Sequence, residues 1–204
     1  MFAEAFTKLE LADAATVLDQ VNPLLEGTPF DPVETTVMTH DISFYPGYQF
    51  LDIGDYSVSP PMRRFVVYKP DDIVVLDWTN EPIYAINKKL PIVITDENVT
   101  DYVRFFFTYI RGRHGRFIVT ENVDDINWKE DPPPAARKAI GKMLEPVNIK
   151  KKADNGVYCL EARVMFKDSL FKTAVYVKPD GTVTLTDEEL LIEDMPVLDD
   201  VFGQ

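Results

Sequence analysis

Apolar and polar positions alternate most regularly in the last third of the chain. Across Val157–Lys167, Leu160, Ala162, Val164 and Phe166 fall on one side, with Glu161, Arg163 and Lys167 on the other. Phe171, Thr173, Val175 and Val177 then alternate with Lys172 and Lys178, and Val183 and Leu185 alternate with Thr182, Thr184 and Thr186. Lys167-Asp-Ser169 and Pro179-Asp-Gly181 supply turn residues between these runs. The pattern predicts a three-stranded antiparallel meander with a core face and a wet face. A short strand at Val147–Lys151 would make it four-stranded, and Leu190–Ile192 would finish the sheet. Ahead of it, Asp131-Pro-Pro-Pro-Ala-Ala reads as a helix start, with an Asp cap and then proline in the first turn, where no N–H is needed. That helix runs to about Leu144, with Ala136, Ile140, Met143 and Leu144 facing inward, and Pro146 stops it.

Helical spacing governs other parts of the chain. Residues 2–20 read as an amphipathic helix, with Phe2, Phe6, Leu9, Val17 and Leu18 on one side. Residues 33–47 carry no clear period. Tyr48–Ile53, Arg63–Tyr68 and Ile73–Trp78 read as strands, the last two joined by a type I turn over Lys69-Pro-Asp-Asp72. Ile83–Ile86 and Pro91–Thr95 read as further short strands. Thr95 or Asp96 then caps a helix in which Val99, Val103, Phe106 and Ile110 form the core stripe and Tyr102, Phe105, Phe107 and Tyr109 widen it. Gly112 is expected just past its end, and Phe117–Val119 as the next strand.

These elements add up to an α+β fold, mainly antiparallel sheet with three helices. We expect an N-terminal α+β part over 1–130 and a helix-plus-meander part over 131–204, the two able to form one continuous domain. In element order alone, one helix followed by a four-stranded meander resembles the cystatin-like or nuclear-transport-factor-like shape.

Charge changes the picture. The net charge is −13, and the first 60 residues hold ten acids against one base, Lys8. From Gly181 onward there are seven acids and no base, so the middle of the chain is slightly positive. This balance argues against nucleic acid and anionic membrane as partners, because both depend on neutralising phosphates. It permits a basic protein partner or metal cations, although an acidic surface by itself serves solubility. Cys159 is the single cysteine, so no disulfide can close within the chain. The acidic start lacks the features of a signal peptide, and no run approaches the roughly 20 apolar residues of a membrane span. The expected location is cytoplasmic.

The positive charge concentrates between Arg104 and Arg116. Arg104, Arg111, Arg113 and Arg116 surround His114 within the stretch from Pro91 to Glu121. Two readings stand. The arginines pair with the chain's own carboxylates, or they grip a phosphate, a carboxylate or an acidic partner through the bidentate fork of arginine. The glycine spacing matches neither a Walker loop nor a dinucleotide fingerprint. His40 and His114 have no zinc-type spacing to each other or to Cys159, so no metal or other cofactor is implied. Cys159 lies inside a predicted strand and reads as a packing residue. There is no Gly-x-Ser-x-Gly elbow; the acidic pairs Glu188-Glu189 and Glu193-Asp194 would supply carboxylates for acid–base work, but nothing in the sequence places them in a cleft. The leading expectation is a protein that acts through protein contacts. The alternative is a small-anion binding protein or enzyme using the loop Arg111–Arg116. Oligomeric state is not fixed by any of these patterns.

Overall fold

The structure, a computed structural model, describes residues 6–90, 92–112 and 115–198. It is an α+β fold with antiparallel sheets and, among the described residues, four α-helices rather than the three expected. Two compact units divide the described residues, one holding the chain up to residue 77 together with 81–93, the other residues 78–80 and the chain from 94 onward.

The first unit holds a five-stranded sheet in sequential order: β1 (Thr7–Lys8), β2 (Thr35–Asp41), β3 (Gln49–Asp55), β4 (Met62–Lys69) and β5 (Asp72–Leu76). Helix α1 (Leu11–Val21) buries Ala14, Val17, Leu18 and Val21 against Val37, Leu51, Ile53 and Val66 of that sheet. The pattern put the helix at residues 2–20, but residues 6–10 are not helical, and Phe2 lies outside the described residues. Phe6, assigned to its apolar side, instead packs its ring on His40 and Phe50, and Thr7–Lys8 pairs with β2. Tertiary packing overrides helical propensity here. The hairpin between β4 and β5 turns at Pro70-Asp71 with φ +64° at Asp71. A positive φ at the third position after proline makes this a type II turn, not type I. Ile83–Ile86 forms no strand: α2 spans Glu81–Lys89 and buries Ile83 and Ile86, one helical step apart. Residues 92–95 form no strand either, and Pro91 lies outside the described residues.

The second unit holds α3 (Val99–Tyr109), the short ribbon β6 (Arg111–Gly112) and β7 (Gly115–Val119), α4 (Pro134–Gly141), then β8 (Asn148–Lys152), β9 (Tyr158–Phe166), β10 (Ser169–Val177) and β11 (Val183–Ile192). The sheet runs β11-β10-β9-β7-β6, with β8 beside the first half of β9 and β7 beside its end. Helix α3 crosses one face. Its Tyr102 hydroxyl donates 2.6 Å to the Gly181 carbonyl at the β10–β11 turn, and its Phe107 ring meets Phe117 on β7. Neither Thr95 nor Asp96 caps α3: Asn98 takes the cap position, and its side chain accepts from the Thr95 N–H at 2.8 Å. Gly112 lies in the β6–β7 ribbon rather than at a helix cap, because Ile110 leaves α3 directly in extended conformation. The other sheet face is not simply wet. Met165 and Leu170 are buried there with Ile126, Leu144, Met195 and Val197. Asp131 does not cap α4, which begins at Pro134 after Pro133.

Candidate functional site

The arginine stretch resolves into three separate environments. Arg104 grips Glu121 through a bidentate pair, Nε to Oε2 at 2.9 Å and Nη2 to Oε1 at 2.8 Å, and its Nη1 donates to Asp101 at 2.6 Å. The Glu121 carboxylate also accepts the Val147 N–H at 2.8 Å. Hydrogen bonding to Glu121 raises the Arg104 pKa further. For Glu121, burial pushes the carboxyl up, but the Arg104 and Val147 hydrogen bonds outweigh it and hold the group below the usual range. Arg111 lies 4.2 Å over the Trp78 ring and donates its backbone N–H to the Trp78 carbonyl at 2.7 Å. Arg116, directly opposite Arg111 on the ribbon, turns instead to the Thr108 carbonyl, with Nη2 at 3.2 Å. Arg113 and His114 lie outside the described residues.

Arg116 also lines a 200 Å³ cavity beside Asp124 and Asp125. Both acids serve the chain: Asp124 pairs with Arg137, and Asp125 accepts the N–H groups of Glu121 and Asn122. Two carboxylates next to one guanidinium leave little net attraction for an anion. Elsewhere, Tyr and Lys converge on Asp twice. In the first unit Tyr48 donates to Asp72 at 2.6 Å and Lys89 donates to the same carboxylate. Burial, then Asp72, pushes the Tyr48 hydroxyl up to about 12. Asp72 is held below its ordinary range by Lys89 first and Tyr48 next. In the second unit Tyr158 and Lys152 both donate to Asp96, and Lys152 lies 4.6 Å over the Tyr158 ring. Each set closes on itself.

The region that does not close on itself lies on the α3 face of the second sheet. Phe117, Phe166 and Phe171 surround a 130 Å³ cavity floored by Val164 and Thr173, with Leu185 and Glu188 contributed by β11. The Phe117 and Phe166 rings stack at 4.7 Å. Strand register brings these side chains together: Phe117 pairs with Phe166, and Val164 with Phe171. Glu188 comes there by another route. Strict alternation from Val183 and Leu185 would send it to the opposite face. A bulge intervenes, because β10 pairs Ala174 with Thr186 but Lys172 with Glu189, so one extra residue of β11 stands opposite Thr173. Asp187 takes φ +54°, and the buried Thr173 hydroxyl donates 2.9 Å to the Thr186 carbonyl inside the bulge. Such an insertion reverses which face the following side chains take.

The three acids of this bulge differ in their partners. Asp187 accepts from the Thr186 hydroxyl at 3.1 Å, and Glu189 faces Lys172 at 3.5 Å. Glu188, at the cavity, has no side-chain hydrogen bond or ion pair among the described residues. Sequence reasoning weighed Glu188 only as part of an acidic pair with Glu189, with nothing to place it in a cleft, and gave it no role at an apolar cavity. The available signal was the break in alternation after Leu185.

Among the described residues no three of His, Cys, Asp and Glu gather closely enough to hold a metal ion. No helix among them is long and apolar enough to cross a membrane. Cys159 is a half-buried thiol on β9, opposite Tyr176. No protein-family model, curated protein or solved structure matches the chain.

Proposed function

We propose that this protein acts by binding another protein, and that the docking surface is the β11 side of the second unit, around the cavity between Phe117, Phe166 and Phe171. One observation carries the reading: a bulge turns the carboxylate of Glu188 onto an apolar cavity and leaves it without a partner among the described residues. Leu190, exposed two residues on, extends the apolar surface. The acids of this strand favour a basic partner. In shape we take the second unit to be cystatin-like, a helix laid across an antiparallel meander, supported by α3 spanning from the β10–β11 turn to β7. The location we assign is cytoplasmic.

The test is photocrosslinking in the source cell with a benzophenone side chain at Leu190. A discrete adduct is expected, lost with Glu188→Lys and retained with Arg116→Ala. No adduct, or equal yields from wild type and Glu188→Lys, overturns the reading.

The small-anion alternative keeps one supporting observation, that Arg116 lines a cavity. It requires melting to rise with phosphate or a carboxylic acid and not to rise after Arg116→Ala. A flat panel removes it.

A further inference from the structure

We infer that the cavity beside Glu188 is a site for a primary alkylammonium, supplied by a lysine side chain of the partner. This rests on the binding surface proposed above. Size, lining and charge each point to it.

At 130 Å³ the cavity is close to the roughly 150 Å³ apolar cavity that takes a benzene molecule. That suits a short methylene chain and its terminal amine. The lining is aromatic and aliphatic, so it buries methylenes well and offers ring faces that attract a cation. The chain shows that attraction itself: the Lys167 ammonium stands 5.5 Å from the Phe166 centroid. Lys167 does not line the cavity. Among the described lining residues the one charge is the Glu188 carboxylate, which accepts hydrogen bonds and donates none when ionised. A neutral apolar side chain would fill the same volume but leave that carboxylate with only water. An anion would be repelled by it.

The surroundings favour a lysine over arginine or a free metal ion. Arginine ends in a planar guanidinium bulkier than an ammonium, so the small cavity suits the compact point charge of lysine better. The two neighbouring acids already have partners, Asp187 in Thr186 and Glu189 in Lys172, so a multidentate cation site does not form.

The full-length protein is titrated with n-butylammonium, Nα-acetyl-lysine amide, 1-pentanol and pentanoate, following the ring resonances of Phe117, Phe166 and Phe171 by NMR. Both amines are expected to shift these resonances saturably, and pentanoate is not. Glu188→Gln, an exposed and nearly isosteric change, is expected to weaken amine binding about fivefold, the size of one exposed charge contact. Added salt is expected to act in the same direction. Equal binding of 1-pentanol and butylammonium, or amine binding unchanged in Glu188→Gln, overturns the assignment. The two proposals fail separately. A Leu190 adduct that survives in cells while the amines do not bind leaves the docking surface and removes the lysine. Amine binding without any adduct leaves the site and removes the protein partner.

Discussion

The arginine stretch and the β11 bulge are both concentrations of charge, and they end in opposite conditions. Arg104 meets two carboxylates, one of them also held by the Val147 N–H, and both ends of that pair are largely covered. Glu188 is exposed, faces an apolar cavity and has no partner within the described residues. A run of like charges in sequence therefore says little about which charge is available. Availability depends on whether the fold brings an opposite charge to it. Arg104 and Glu121 stand seventeen residues apart and are joined where the chain passes from α3 through β7. A single inserted residue turns Glu188 onto the cavity, where no opposite charge among the described residues pairs with it.

The comparison can be broken most severely at its closed end. Glu121→Ala leaves Arg104 with one of its two carboxylates and frees the Val147 N–H, and about 3 kcal/mol of stability is expected to be lost in chemical denaturation. Little loss would mean that Arg104 is as uncommitted as Glu188. Acid should act on the closed end as well. Because the folded-state pKa of Glu121 is depressed, its contribution is complete above the unfolded value of about 4.3 and drains away as pH falls through the lower folded value. Glu121→Gln should flatten that acid limb. Tyr102→Phe deletes the bond from α3 to Gly181 and leaves a carbonyl unpaired, a cost of about 1–2 kcal/mol in the same measurement. Asp187→Val places a β-branched residue at φ +54°, at a cost of about 1–2 kcal/mol, and should weaken amine binding by disturbing the bulge. Glu188→Gln alone is expected to shift stability by less than about 0.5 kcal/mol. That last result sharpens the contrast, since a side chain serving only the fold would cost more.

The sequence made the meander legible because each strand there alternates against a helix-covered face. β8, β9 and β10 lie within two residues of where the pattern put their ends. α3 was legible for a similar reason, as its stripe of Val99, Val103 and Phe106 is buried. α2 was not. Ile83 and Ile86 fit a helical step as well as a strand, and Glu81-Pro82 at the start and Lys88-Lys89 at the end, all helix signals, decide between them. β2 was hidden because its inward residues include Thr35 and Thr39, which do not register as apolar. The arginines drew attention through their density, but the bidentate pairing of Arg104 depends on long-range geometry. The position of Glu188 depends on a backbone irregularity at Asp187, a residue type that tolerates the left-handed region without advertising it.

The sharing of one edge of β9 by two strands also orders events in time. Residues Phe117–Val119 of β7 have their sheet partners only in Val164–Phe166 at the far end of β9, among the described residues. As the chain leaves the ribosome, α3 and β7 therefore emerge without the sheet they pack on, and they stay so until β9 follows. During that interval the aromatic-rich helix lacks the sheet of its own unit. For this half of the molecule, the stretch most exposed to chaperones and to misassembly is the one that becomes best buried at the end.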